Sequence, residues 1–248
     1  MPNEPAGCRL LVTRPARPAE ALARSLRRAG HRPVVLPLIE TRPLDLAAPD
    51  FRPGDILIFV SPAAVRHGLP RLAPLHPDVV LATVGKGTAR ELETTLGRAP
   101  DICPRARFDS EALLAKPALA EVAGRRVFIV RGRGGRETLA RGLADRGAEV
   151  RYLEAYERRP LAVADTLNRL LEDAALDAIL VTSREILDQL LAQTESRNRE
   201  RLFALPLLVI HPRQAEHARQ LGFRRILTAT DGSDGAIMDA LERMESPA

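Results

Sequence analysis

The chain has 248 residues, enough for one large domain or two modest ones, and 45% of them are hydrophobic, as in ordinary globular proteins. Its net charge of +5 arises from 37 basic and 32 acidic residues, and nearly all the cations are Arg, with Lys only at 86 and 116. These cations are dispersed among the acids, and six Phe and two Tyr offer few rings to stack on bases, which disfavours nucleic acid and leaves an anionic small molecule compatible.

No apolar run approaches the ~20 residues of a membrane-spanning helix. The opening MPNEPAGCRL lacks the cationic-then-apolar pattern of a secretory leader. Cys8 and Cys103 make neither a CxxC pair nor a disulfide framework. The expectation is a cytoplasmic protein that engages neither membrane nor nucleic acid.

In chain order, RLLVTRP (9–15) is a short β-rich run, followed by a helix whose Ala21, Leu22, Leu26 and Ala29 share a face and which Gly30 ends. LPLIETRPL (36–44) carries Pro37 and Pro43 and suits an extended connector better than a central strand. DILIFV (55–60) is a continuous apolar run, as in a strand buried on both faces of a parallel sheet. ATVGKGTARELETTLG (82–97) is a further strand–helix unit. RRVFIVRG (125–132) starts another, in which Leu139, Leu143 and Gly147 repeat the helix pattern. LEAYERRPL (153–161) is a second connector, DAILVT (177–182) a second doubly buried strand, and LVIHPRQAEHARQLG (208–222) a last strand–helix unit.

These parts are a repeat. A shift of 117 positions aligns Arg14 with Arg131, Glu20 with Glu137, Leu22 with Leu139, Arg24 with Arg141 and Gly30 with Gly147. DILIFVSPAAV also parallels DAILVTSREIL, and 82–97 parallels 208–222. Alternating strand and helix indicates two similar α/β domains. If the two connectors cross antiparallel, one domain is discontinuous, 1–36 plus 162–248, and the other is 45–152, with 37–44 and 153–161 as a connecting β-ladder. Two consecutive domains split near residue 122 remain the simpler alternative.

Six strand–helix turns, TRPARPAE, SPAAV, GKGTA, RGRGGRE, TSREI and HPRQAE, offer free backbone N–H groups to an anion. Their candidate binding residues are Thr13, Arg14, Ser61, Lys86, Thr88, Arg131, Arg133, Arg136, Thr182, Ser183, His211 and Arg213. Each hydroxyl among them is equally open to a purely structural role as a helix cap. RGRGGRETL, with three Arg among three Gly, suits carboxylates. It is not a dinucleotide fingerprint, because Glu137 replaces the last glycine, and it has no P-loop GK[ST] ending. The five histidines form no metal-ligand motif and no GxSxG elbow occurs, so a metal or covalent hydrolase is not expected. One further feature separates the repeated connectors: the fourth place holds Ile39 in the first and Tyr156 in the second.

The ordered set VTRP, FVSPAAV, TVGKGTA, DSEALL, RGRGGRETL, YERRP and VTS resembles uroporphyrinogen-III synthase over almost the whole chain. The resemblance implies two flavodoxin-like parallel-sheet α/β domains joined by a two-stranded β-ladder, with the active site in the cleft between them. It implies a monomeric cyclising lyase of haem biosynthesis that uses no metal or organic cofactor. The implied reaction closes linear hydroxymethylbilane to uroporphyrinogen III, with loss of water and inversion of the last pyrrole ring through a spiro intermediate. The implied partners are that substrate and, transiently, the preceding pathway enzyme. Catalysis falls to the tyrosine of the YER motif, Tyr156: a phenol, with pKa near ~10, can assist departure of the substrate hydroxyl while uncharged. Two places depart from the family pattern. Ala63 stands where an Asn is frequent, and a Thr-bearing turn is replaced by His211–Gln214, where Arg213 is the substitute carboxylate contact. A non-catalytic two-domain binding protein for an anionic metabolite would need the same basic turns without Tyr156.

Overall fold

The computed structural model describes residues 7–105 and 108–245. The expectation about the N-terminal segment and the outer ends of the expected first domain fall partly on 1–6 and 246–248, outside the described residues. The strands are β1 (Leu10–Val12), β2 (Val34–Val35), β3 (Ile39–Pro43), β4 (Ile56–Phe59), β5 (Val80–Thr83), β6 (Arg126–Gly132), β7 (Glu149–Pro160), β8 (Ala178–Val181), β9 (Leu207–Val209) and β10 (Ile226–Thr228). The helices are α1 (Ala16–Arg28), α2 (Pro62–Leu72), α3 (Lys86–Leu96), α4 (Ser110–Leu114), α5 (Thr138–Ala144), α6 (Ala164–Glu172), α7 (Arg184–Gln193), α8 (Arg199–Ala204), α9 (Pro212–Leu221) and α10 (Asp234–Glu245). None is long and apolar enough to cross a membrane.

The chain divides into two compact units, one formed by the stretch up to Glu40 with the stretch from Arg159, the other by Thr41–Arg158. In the first unit the sheet order is β2-β1-β8-β9-β10, and every pairing is parallel. Numbered along that unit this is 2-1-3-4-5, the flavodoxin-like order. Its strands alternate between two cores. Leu11, Ile179, Val181, Leu207 and Val209 face one; Leu10, Val12, Ala178, Leu180 and Leu208 face the other. Burial on both faces accounts for their unbroken apolar character.

The second unit has the order β3-β7-β6-β4-β5, with β7, β6, β4 and β5 parallel. The repeat equates β1 with β6, β2 with β7, β8 with β4 and β9 with β5, so both sheets follow one plan although the chain enters them at different strands. An ion pair recurs in both. Asp177, before β8, pairs with Arg9, and Asp55, before β4, with Arg126.

Two local expectations need correction. Helix α1 buries Ala19, Leu22, Ala23 and Leu26, while Ala29 is exposed beyond the last turn. Residues 153–156 do not lie in a connector: Leu153 pairs with Val130, Glu154 with Arg131 and Tyr156 with Gly132. The proline argument fails there because Pro160 lies past the last of these pairs. Pro43 ends β3, an edge strand, where a missing N–H is tolerated. Around the two crossings the hydrogen bonds are antiparallel in sense: Leu161 N–H donates to Leu38 O, and Leu44 N–H to Ala155 O.

Candidate active site

Parallel α/β sheets present ligands at the carboxyl ends of their strands, at the point where strand order reverses. In the second unit that point lies between β4 and β6, and their carboxyl ends bring Ser61 beside Gly132. A bulge supplies the third member. Between Arg131 and Gly132 the register with β7 skips one residue, from Glu154 to Tyr156. Leu153 and Ala155 are buried, so strict alternation would turn Tyr156 the other way; the bulge re-aims it inward.

Tyr156 is only 2% exposed. Its hydroxyl lies 3.1 Å from Ser61 Oγ and accepts a hydrogen bond from Arg158 Nη2 at 3.3 Å. The His67 ring sits 5.6 Å from the Tyr156 ring, tilted by 35°. His67 Nε2 in turn lies 2.9 Å from Thr41 Oγ1. Burial first, then the charge of Arg66, holds the His67 imidazole below its ordinary pKa, which favours the neutral ring. Because a guanidinium can only donate, the phenol oxygen is an acceptor toward Arg158 and its own proton points elsewhere.

Around this phenol the turns expected from the sequence sort into two groups. Ser61 Oγ accepts the Ala64 N–H at 3.0 Å, so it caps α2 as well as meeting Tyr156. Lys86 is exposed, with Nζ 5.1 Å from the centre of the Phe108 ring, and Thr88 is buried inside α3. Arg131 is 7% exposed and lies under the loop that follows β6. Arg133 is taken up by Glu157 and Glu154, at 3.2 and 3.7 Å. Arg136 is exposed and lines, with Arg131, Gly132 and Arg158, an open pocket in this unit.

The remaining candidates belong to the first unit, at the carboxyl ends of β1, β8 and β9. Thr13 is fully buried and donates to Leu180 O. Arg14 is bound to Asp234 and to Gly232 O, and burial lowers its pKa against the pull of Asp234. Ser183 Oγ caps α7 through the Ile186 N–H, and Thr182 O accepts from Gln214. His211 Nδ1 caps α9 through the Arg213 N–H at 3.0 Å, and both residues are exposed. Structural capping thus accounts for Ser183 and His211, while Ser61 serves in two capacities.

Sequence reasoning missed Arg158, His67 and Tyr152, whose ring centre lies 4.4 Å from the Arg131 guanidinium. Arg158 had a signal: it lies two residues after Tyr156 on an extended strand, hence on the same face. No cluster of His, Cys, Asp and Glu able to hold a metal ion occurs among the described residues.

Residues 20–239 match the family described as uroporphyrinogen-III synthase HemD. The chain belongs to the uroporphyrinogen-III synthase family. It is 34% identical over 249 aligned positions to the uroporphyrinogen-III synthase of Escherichia coli (strain K12), covering 94% of this chain and 99% of that protein. With the Salmonella typhimurium enzyme of the same name the figures are 35%, 94% and 99%. A solved structure of uroporphyrinogen-III synthetase from Helicobacter pylori 26695 superposes with a TM-score of 0.62, over 96% of this chain and 99% of that one. Its sequence identity of 16% makes this a likeness of fold. Membership implies a small-molecule substrate.

Proposed function

We propose that the chain cyclises hydroxymethylbilane to uroporphyrinogen III, with Tyr156 as the acid that assists loss of the substrate hydroxyl. The observation that carries the assignment is a buried phenol whose hydroxyl is held by Ser61 and Arg158 beside a pocket lined with arginine. The C–O bond of the hydroxymethyl group breaks as its oxygen takes a proton and leaves as water. The resulting azafulvene cation is stabilised by its own pyrrole nitrogen. The terminal ring then forms a C–C bond through its substituted carbon, and the spiro intermediate breaks its older bond and recloses inverted. A final loss of a ring proton restores the pyrrole, and the phenolate is the natural acceptor. Much of the acceleration in such a sequence comes from holding one folded conformer of the chain.

The same reading places the reaction in the cytoplasm, in a monomer that needs no metal or organic cofactor and meets the preceding pathway enzyme transiently. In the second unit Lys86 and Arg136 are available as exposed cations; in the first, Arg213 takes the place of the missing Thr-bearing turn. The test incubates freshly made hydroxymethylbilane with wild type and Tyr156→Phe, oxidises the products, and separates the type I and type III isomers. Type III from wild type and a fall of about 10²-fold or more in its rate in the variant are expected. Spontaneous type I product alone from folded wild type would replace the synthase with a binding protein.

A further inference from the structure

Arg14 and Arg131 are equivalent positions of the repeat, each following the central part of its sheet, and each is 7% exposed. Their electrostatic surroundings differ. Arg14 Nη1 lies 3.1 Å from Asp234, and Nη2 donates to Gly232 O at 2.8 Å. Arg131 has no carboxylate partner among the described residues. Its Nε donates to Gly132 O at 3.2 Å, and its guanidinium lies 4.4 Å from the centre of the Tyr152 ring. A guanidinium carries five N–H donors, and burying it without an anion is unfavourable. The first unit solves this with an internal acid; the second leaves the cation facing a pocket.

The pocket matches an anion in charge and has an apolar wall beside its cations. Its charged lining residues are Arg131, Arg136 and Arg158, with no acid among the lining residues, and Ile129 and Leu139 form apolar wall. It is an open cleft of about 170 Å³, room for an acidic side chain to reach the guanidinium while the rest of a larger molecule stays outside. Gly135, at φ +103°, is part of the construction: a Cβ there would lie 2.9 Å from Arg131 Nη2. The glycine lets the loop close over the guanidinium without displacing it.

We propose that this pocket is a carboxylate subsite, in which Arg131 receives one acidic side chain of a pyrrole ring while the rest of the molecule stays outside. The identity of the ring rests on the synthase reading; the anion site rests on the contrast between Arg131 and Arg14. Arg158, which lines the pocket and donates to Tyr156, then joins the bound ring to the phenol.

The test titrates the full-length protein with uroporphyrin III, a stable octacarboxylate ring, following the porphyrin absorbance, alongside thermal melts without ligand. Arg131→Met should weaken binding about tenfold or more and melt no lower than wild type, because an unneutralised buried charge has gone. Ala140→Asp, which sets an internal acid on the pocket wall as Asp234 does for Arg14, should weaken binding comparably. Unchanged affinity in Arg131→Met, or lost affinity only where the melting temperature falls while Ala140→Asp binds as wild type, would overturn the subsite. Turnover is not involved in this titration. Wild type that binds through Arg131 yet forms only type I product would remove the synthase reading and keep the site; type III formation with Arg131 irrelevant to binding would do the reverse.

Discussion

Gly132 occupies a position on β6 where a side chain would collide with the Tyr156 phenol: a Cβ there would lie 2.7 Å from Tyr156 Cζ and 3.2 Å from its hydroxyl. The bulge that pairs Gly132 with Tyr156 and the glycine itself are therefore two halves of one device, one turning the ring inward and the other making room for it. Gly132→Ala should push the ring away from Ser61 and Arg158. Overpacking of this kind costs about 1–3 kcal/mol, and the rate of type III formation should fall with it while spontaneous type I closure continues. Isomer analysis and a thermal melt on the same preparation check both effects; a native isomer ratio would mean that the phenol tolerates displacement.

Ser61 tests whether the phenol needs its second partner. Its Oγ caps α2 and meets Tyr156, so Ser61→Ala removes both contacts at once. Loss of the cap should cost about 1 kcal/mol of stability. Ser61→Asp retains the capping oxygen but sets a negative charge beside the phenol. Stability near wild type with reduced type III formation is expected for the Asp variant, whereas full activity in both variants would limit Ser61 to capping.

Much of this architecture was legible before any coordinates. The 117-position repeat contained the duplicated sheet plan, and the unbroken apolar runs at 55–60 and 177–182 are strands with a core on each side. What could not be read was local and depended on partners distant in sequence. The inward turn of Tyr156 follows from a bulge, which composition does not mark. Arg14 and Arg131 look alike in sequence, and only Asp234, at the far end of the chain, makes one a structural ion pair. Prolines misled for a related reason: Pro160 marks where the ladder stops, not which residues before it are paired.

His67 supplies a pH signature for the second unit. Burial, with Arg66 adding to it, depresses its pKa below the ordinary 6.5. Between the folded value and 6.5 the unfolded chain binds the proton that the folded one refuses, so stability falls as pH drops through 6.5 and is regained as pH rises. His67→Gln can keep a hydrogen bond to Thr41 while removing this proton linkage. Melts from about pH 7.5 to about pH 5.5 should show a shallower loss in the variant than in wild type, and parallel slopes would mean that His67 does not contribute.

The duplicated ion pair offers a comparison at constant chemistry. Asp55 and Arg126 are 5% and 16% exposed in their side chains, and Arg126 Nε lies 2.9 Å from Asp55 Oδ1. Asp177 and Arg9 make the same bidentate contact at 42% and 40% exposure. Removing one partner of a buried pair strands the other charge away from water and typically costs about 3–5 kcal/mol, whereas water takes over at an exposed pair. Asp55→Asn should therefore lower stability by about 3 kcal/mol, with Asp177→Asn much closer to wild type. Chemical denaturation of the two variants decides the point. Equal losses would show that burial does not set the worth of this pair, and that the two units depend on it alike as the anchor where the first central strand meets its neighbour.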